Sequence, residues 1–286
     1  MPSSVCCLIR SYVVLAGLLL AAGASAAAPL ILAIHPYLSA AEINQRFAPL
    51  ARHLAIATGR EVVIRVPRDY DEHIKIVGRD ETDIAFLGPA SLLAIEERYG
   101  AKPLLGRLEV GGHRELRGHI IVRRDSPLNS LTDLRGKRIA FGDPQSTMSH
   151  LVPKAVLRDA GIGDSDILAV GSVGSHDNIA LAVLAGDYDA GAVKDDIFDK
   201  YAARGLRSLA ELPRVADHAF TASRRMPGET VERLRTALHG LRDSEAGRSI
   251  LASIQGNLTA IAPAGAGDYD SLRRLLQRPA GRKPRP

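Results

Sequence analysis

Phe141-Gly142-Asp143-Pro144-Gln145-Ser146-Thr147-Met148-Ser149-His150-Leu151-Val152-Pro153 reads as a strand end, a proline turn and a helix start rich in hydroxyls. An apolar strand, Lys137 to Phe141, leads into it, and a helix, Ser146 to Ala160, leads out to Gly161. The same alternation recurs on both sides. Upstream, Leu30 to Ile34 is an apolar run suited to a buried parallel strand. Ile43, Phe47, Leu50 and Leu54 then follow at helical spacing up to Gly59, with Pro49 expected to kink that helix or open a new one. Strands are expected at Glu61 to Val66, Thr82 to Leu87 and His119 to Val122, with helices at Tyr70 to Val77 and from Pro89 to Gly100. Downstream, strands are expected at Ile167 to Val170, Tyr188 to Val193 and His218 to Ala222. Helices are expected at Ser175 to Leu184, Asp195 to Ala203, Val231 to Leu241 and Asp268 to Leu276. Two strand-helix series followed by more helices predict an α/β protein of two lobes, each a doubly wound sheet. In such sheets ligands sit beyond the carboxyl ends of the strands, so the loops after strands are where chemistry belongs.

The first 28 residues stand apart. Arg10 supplies a positive n-region, Tyr12 to Ala22 a short apolar core, and Ala24-Ser25-Ala26 or Ala26-Ala27-Ala28 a small-residue cleavage site. This is the pattern of a cleaved signal peptide, too short in its apolar part for a spanning helix. Cys6 and Cys7 both lie inside it, so the mature chain carries no thiol for a disulfide, a metal or a nucleophile. About 260 residues remain, enough for two lobes with their own cores. Composition is 46% hydrophobic and 24% charged with a net charge of +5, ordinary for a globular protein. Aromatic residues make up 4% and Trp is absent, which argues against a nucleic-acid binder that would stack bases on a basic face. Residues 277–286 read as a frayed basic tail.

Three hydroxyls, Ser146, Thr147 and Ser149, fall within four residues at a helix start. Unpaired N–H groups and the macrodipole favour an anion there. The plainer reading makes Ser146 a simple N-cap worth about 1 kcal/mol. A second strand-to-helix loop, Gly171-Ser172-Val173-Gly174-Ser175-His176-Asp177-Asn178, offers His176 as a donor to the same ligand, with an ordinary capping role as its alternative.

These loops and their neighbours resemble the periplasmic phosphate/phosphite/phosphonate-binding proteins of ABC importers. The resemblance rests on Asp83 to Pro89, Asp125 to Leu128, Leu131 to Lys137, Asp143 to Thr147, Ser175 to Asp177 and Gly186 to Val193, in matching order from about Ile31 to Leu276. It implies a type II-like periplasmic-binding-protein fold, with residues 29–117 and 216–276 in one lobe and 118–215 in the other, closing by a hinge. It implies that Ser146, Thr147, His176 and Tyr70 bind a small phosphorus oxyanion, with Ser149, Asp177 and Asp196 as further candidates. Asp195 and Asp196 lie where an acid would meet the amine of an aminoalkylphosphonate, if that were the ligand; a solvated helix start is the preferred reading. Met148 replaces the family's third hydroxyl, Leu116 its crossover tyrosine, and Leu92 and Leu93 stand where many relatives carry another tyrosine. These departures predict a pocket less polar on two sides.

The implied partner is an ABC permease, or alternatively a sensor histidine kinase in the inner membrane. The chain is expected to be periplasmic, monomeric, and without cofactor, metal or nucleic acid. Ser146, His176 and Asp189 supply the residue types of a hydrolase triad, but no G-x-S-x-G elbow surrounds any serine. Phosphate-loop, dinucleotide and H-E-x-x-H signatures are also absent.

Overall fold

The structure is a computed structural model and describes residues 27–278. All but the last two residues of the expected signal peptide, and all of the expected tail but Gln277 and Arg278, lie outside the described residues. The chain begins β1 (Leu30–Ile34), α1 (Ala40–Thr58), β2 (Val62–Arg65), α2 (Tyr70–Gly78), β3 (Ile84–Leu87), α3 (Pro89–Tyr99) and β4 (Leu104–Val110). The short β5 (Glu115–Leu116) leads into β6 (Gly118–Arg123), β7 (Arg138–Phe141), α4 (Val152–Asp159), β8 (Ala169–Ser172), α5 (His176–Ala185), β9 (Ala190–Lys194), α6 (Asp195–Ala202) and β10 (Leu206–Glu211). The return runs through β11 (Val215–Ala216), β12 (Ala219–Ala222), α7 (Gly228–His239), α8 (Glu245–Ile254), β13 (Leu258–Ala262) and α9 (Asp270–Leu276).

Two mixed sheets result. The first has the order β13-β4-β12-β3-β1-β2, the second β10-β6-β9-β7-β8. Each has a parallel centre, β2-β1-β3 and β8-β7-β9, extended by antiparallel strands. The two crossover segments pair with each other, β5 with β11, through Leu116↔Val215 and Glu115↔Ala216. The fold is therefore two-lobed α/β, and its sheets are mixed.

Side-chain alternation explains the layering. In β1, Leu30, Leu32 and Ile34 join the core under α1, α7 and α8, while Ala33 faces the opposite cluster. Ile43, Phe47, Leu50 and Leu54 of α1 are fully buried in that first core. Each such side chain contributes about 2 kcal/mol of burial free energy. That explains why α1 runs on through Pro49 instead of breaking into two helices. The other cluster passes beneath α3 and includes Leu116, Met148, Phe141 and Leu212. A third packs α5 and α6 on the second sheet through Ile179, Val183, Val193 and Tyr201.

Several elements depart from the sequence reading. β4, β10, β13 and α8 were not expected, and β8 starts two residues later than Ile167, where its pairing with β7 begins at Arg138↔Ala169. The helix expected from Ser146 begins as a wide turn, Thr147–Leu151, before α4 starts at Val152. No helix among the described residues is long and apolar enough to cross a membrane. Arg278, in the expected tail, pairs with Asp159 at 3.1 Å.

A buried ion pair ties together the turns that follow α2, α3 and β12. Lys102 Nζ donates to Asp80 Oδ1 at 2.6 Å and to the Gly78 carbonyl at 2.9 Å. Asp80 holds a left-handed backbone, φ 59°, and also accepts from Ser223 Oγ and the Arg224 N–H. Burial alone would raise its pKa; the donors of Lys102, Arg224 and Ser223 outweigh it and hold the carboxyl at about 2. Asp80→Ala leaves the Lys102 ammonium buried without its counter-charge and is expected to cost about 3–5 kcal/mol in denaturant unfolding. Asp80→Ala with Lys102→Met should regain most of it; a single-variant loss below about 1 kcal/mol would contradict this role.

Candidate ligand-binding site

Polar residues meet between the lobes because strand ends do. His35 follows β1, Gly88 follows β3, Ser146 and Thr147 follow β7, His176 follows β8, and Lys194 closes β9. All of them line one cavity, together with Tyr37, Tyr70, Met148 and His218. Its volume for the centres of water-sized atoms is about 50 Å³. One water needs roughly 10–15 Å³ on that measure, so the space takes about four such atoms.

Helix starts converge on this space. Tyr70 and His176 are the first residues of α2 and α5; Gly88 and Lys194 are the N-caps of α3 and α6, and Ser146 that of the wide turn. The caps of α2 and α5 are filled by Asp69 and Ser175. The N-cap residues of α3, α6 and the wide turn supply no side-chain cap of their own; Thr147 reaches the first N–H of α3 from outside, and the Arg117 carbonyl takes that of α6. Unpaired first-turn N–H groups and aligned dipoles make such a place favourable for negative charge.

Ser146 is not a simple N-cap. Its hydroxyl accepts from Ser149 Oγ at 2.7 Å, which leaves its own proton free to donate. Two i→i−5 bonds, Leu151 N–H to Ser146 O and Val152 N–H to Thr147 O, widen this turn. Gly142 makes room for it: a Cβ there would lie 2.1 Å from Ser149 Oγ. Thr147 Oγ1 accepts from the Ala90 N–H of α3 at 3.0 Å, a buried hydrogen bond from one lobe to the other. Its proton, too, remains available.

The rings above are stacked. His35 lies 5.1 Å from His218 at 13° and 5.3 Å from Phe86 at 23°. His218 Nδ1 is held by Asp217 Oδ1 at 2.8 Å, so its Nε2 edge faces Gly88. Burial, then the nearby Lys194 and His218, depress the pKa of His176 to about 3, and its buried Nδ1 has no protein partner. Burial foremost, then His218 and His73, keep His35 well below the ordinary range. Burial raises the phenol of Tyr37 to about 12 and that of Tyr70 upward as well, so both remain donors at neutral pH.

The family model for periplasmic substrate-binding proteins of ABC phosphonate transporters matches residues 32–269. The chain belongs to this family. The phosphate-import protein PhnD of Mycolicibacterium smegmatis is 28% identical over 222 residues, 72% of this chain and 69% of that protein. The phosphonates-binding periplasmic protein of Escherichia coli is 28% identical over 175 residues, 59% of this chain and 52% of its own. In fold, the chain is similar to Prochlorococcus marinus PhnD1, solved in complex with methylphosphonate. The TM-score is 0.76 at 19% identity, covering 86% of this chain and 96% of that one.

Against this family's pattern, the structure brings Ser146, Thr147, His176 and Tyr70 to one cavity. Ser149 stands behind Ser146 and, with Asp177, lines the outer cleft next door. Asp177 is engaged by Lys200 and by Tyr201 Oη at 2.8 Å. Asp196 borders a different cavity and pairs with Lys194 at 3.4 Å, while Asp195 is taken by His119 at 2.8 Å. Leu116 does line the cavity, but Leu92 and Leu93 pack into the core and do not. Asp189, the third residue type of the hydrolase alternative, is bound to Arg138 away from Ser146 and His176. His35, Tyr37, Lys194 and His218 were not expected from sequence. Among the described residues no group of three or more His, Cys, Asp or Glu side chains is placed to hold a metal.

The buried histidines give stability a pH dependence. His73, beside His35, is fully buried, and burial lowers its pKa from 6.5 to about 3 against a weaker opposing contact with the Ala33 backbone. The unfolded chain binds a proton there below about 6.5 and the folded chain does not, so the contribution is full above that pH and lost as pH falls toward 3. The slope is about 1.4 kcal/mol per unit for each such histidine. Unfolding measured from pH 7 to 4 should show it, flattened by one histidine's share in His73→Phe; an unchanged slope would contradict the burial argument.

Proposed function

We propose that the protein captures a small phosphorus oxyanion (phosphate, phosphite or phosphonate) in this cavity and passes it to the permease of an ABC importer. The convergence of helix starts and of hydroxyls with unspent protons on a space of about four atoms carries this reading. A tetrahedral anion matches both the volume and the sign of the field. Ser146, Thr147, Tyr37 and Tyr70 supply O–H donors, His176 a ring nitrogen, and Lys194 a positive charge. Family membership supports the transport role and a periplasmic setting.

In this account residues 29–117 and 216–276 form one lobe and 118–215 the other, hinged at the paired crossovers β5 and β11. Thr147 touches ligand with its proton and α3 with its lone pair, so binding and lobe contact reinforce one another. The protein works as a monomer and a binder without turnover.

Calorimetry and thermal shift with phosphate, phosphite, methylphosphonate, aminoethylphosphonate, sulfate and arsenate test the proposal. At a hundredfold excess over Kd, a bound phosphorus anion should add about 2.7 kcal/mol of stability. Ser146→Ala and His176→Ala should each weaken binding by about tenfold or more, the loss of a hydrogen bond to a charged group. Unchanged affinity in both variants would overturn the site, and Ser146-dependent ester hydrolysis would overturn the binder reading.

A further inference from the structure

Among the described residues no carboxylate borders the anion cavity, so its lining is rich in donors and poor in acceptors. Ser146 and Thr147 each already accept a hydrogen bond, Tyr37 and Tyr70 are held as phenols, and the Lys194 ammonium has only protons to give. A phosphorus monoanion brings a P–OH proton, and a proton enclosed in so small a space needs an acceptor. The bases within the lining are the rings of His35, His176 and His218.

These rings differ in what stands behind them. His35 Nδ1 donates to the Phe86 carbonyl at 3.3 Å, and burial holds the ring well below the ordinary histidine range. Burial does the same to His176, whose Nδ1 has no protein partner. Of the three, only His218 is hydrogen-bonded to a carboxylate: Asp217 Oδ1 accepts from its Nδ1 at 2.8 Å and from its backbone N–H at 2.6 Å. Asp217 is itself fixed, 3% exposed, with its carbonyl accepting from the buried Tyr269 hydroxyl at 3.0 Å. An ionised carboxylate can only accept, so the proton of a neutral His218 sits on Nδ1 and its Nε2 presents a lone pair. A Cβ built on Gly88 would lie 3.9 Å from that Nε2 and 3.8 Å from Thr147 Oγ1, so ring and hydroxyl flank one point beside the start of α3.

On the cavity side His218 faces His35, stacked at 5.1 Å, together with His176, Lys194 and the phenols of Tyr37 and Tyr70. A second cavity that His218 also borders carries His113, Glu115, Arg117, Asp195, Asp196 and Asp199. Asp195 is taken by His119 and Asp196 by Lys194, which leaves Asp217 as the carboxylate in hydrogen-bond contact with the ring.

We propose that His218, braced by Asp217, handles the proton of the bound anion, so that the site holds one proton between His218 Nε2 and an anion oxygen whichever of the two supplies it. A monoanion donates its P–OH hydrogen to the neutral ring. A dianion is met by a ring that has taken a second proton from solvent, its charge balanced by Asp217. Asp217 is a positioning residue, because it acts on the ligand through His218. The inference rests on the oxyanion reading of the site and adds the residue that sets its response to pH.

Calorimetric titration of the full mature chain with phosphate, phosphite and methylphosphonate, in two buffers of different ionisation enthalpy, counts the protons exchanged. At about pH 8, above the second ionisation of a phosphoryl group at about 6, the native protein should take up about one proton per anion. Its affinity should fall about tenfold per pH unit from there upward. His218→Gln keeps a donor toward the anion but no base, so uptake should vanish and affinity should stay flat over the same range. Asp217→Asn should cut the uptake at least about twofold; undiminished uptake in that variant would overturn the positioning role. Anion binding by the native protein without proton uptake would overturn the proposal while leaving the oxyanion site intact. Equal uptake in His218→Gln would overturn the assignment to His218. Binding of none of the three anions would overturn the oxyanion reading and this inference with it.

Discussion

Five helix or turn starts point their positive ends at one cleft, and the space they share is too small to hold much water. Tyr70 and His176, the first residues of α2 and α5, and Gly88, Lys194 and Ser146, the N-caps of α3, α6 and the wide turn, all line the same cavity. Thr147 takes the Ala90 N–H of α3 and the Arg117 carbonyl the first N–H of α6, so the aligned dipoles and the unspent protons of Ser146 and Thr147 are what draw an anion here. The neutral histidines fit this arrangement, because a ring without charge can donate one proton without repelling Lys194.

The hydroxyl cradle depends on backbone features one layer back. Gly142 leaves space for Ser149, Ser149 orients the Ser146 hydroxyl, and the widened turn sets Thr147 against the N–H of Ala90. Each partner satisfies a lone pair and leaves a proton. The same turn carries Met148 into the wall, so donors and apolar surface are fixed by one short segment.

Much of this was legible in the sequence. Strong apolar periodicity revealed the parallel centres of both sheets, and the hydroxyl cluster marked the turn after β7. The antiparallel strands β4, β10 and β13 escaped notice because they lack a clean apolar alternation: in Leu206–Glu211 the two leucines stand three residues apart, with Arg207 and Ser208 between them. His35 and Lys194 were legible in principle, each sitting at the carboxyl end of a buried strand, where polar residues gather at sites. His218 was not: it reaches the cavity because β12 inserts antiparallel between β3 and β4, a pairing no local pattern announces. Asp177 and Asp196 carried the right chemistry at helix starts, yet Lys200, Tyr201 and Lys194 engage them instead.

A crystal structure of the protein grown with methylphosphonate tests the central claim most directly. The account predicts phosphonate oxygens about 2.6–3.2 Å from the hydroxyls of Ser146 and Thr147. An ordered anion bound elsewhere would contradict it.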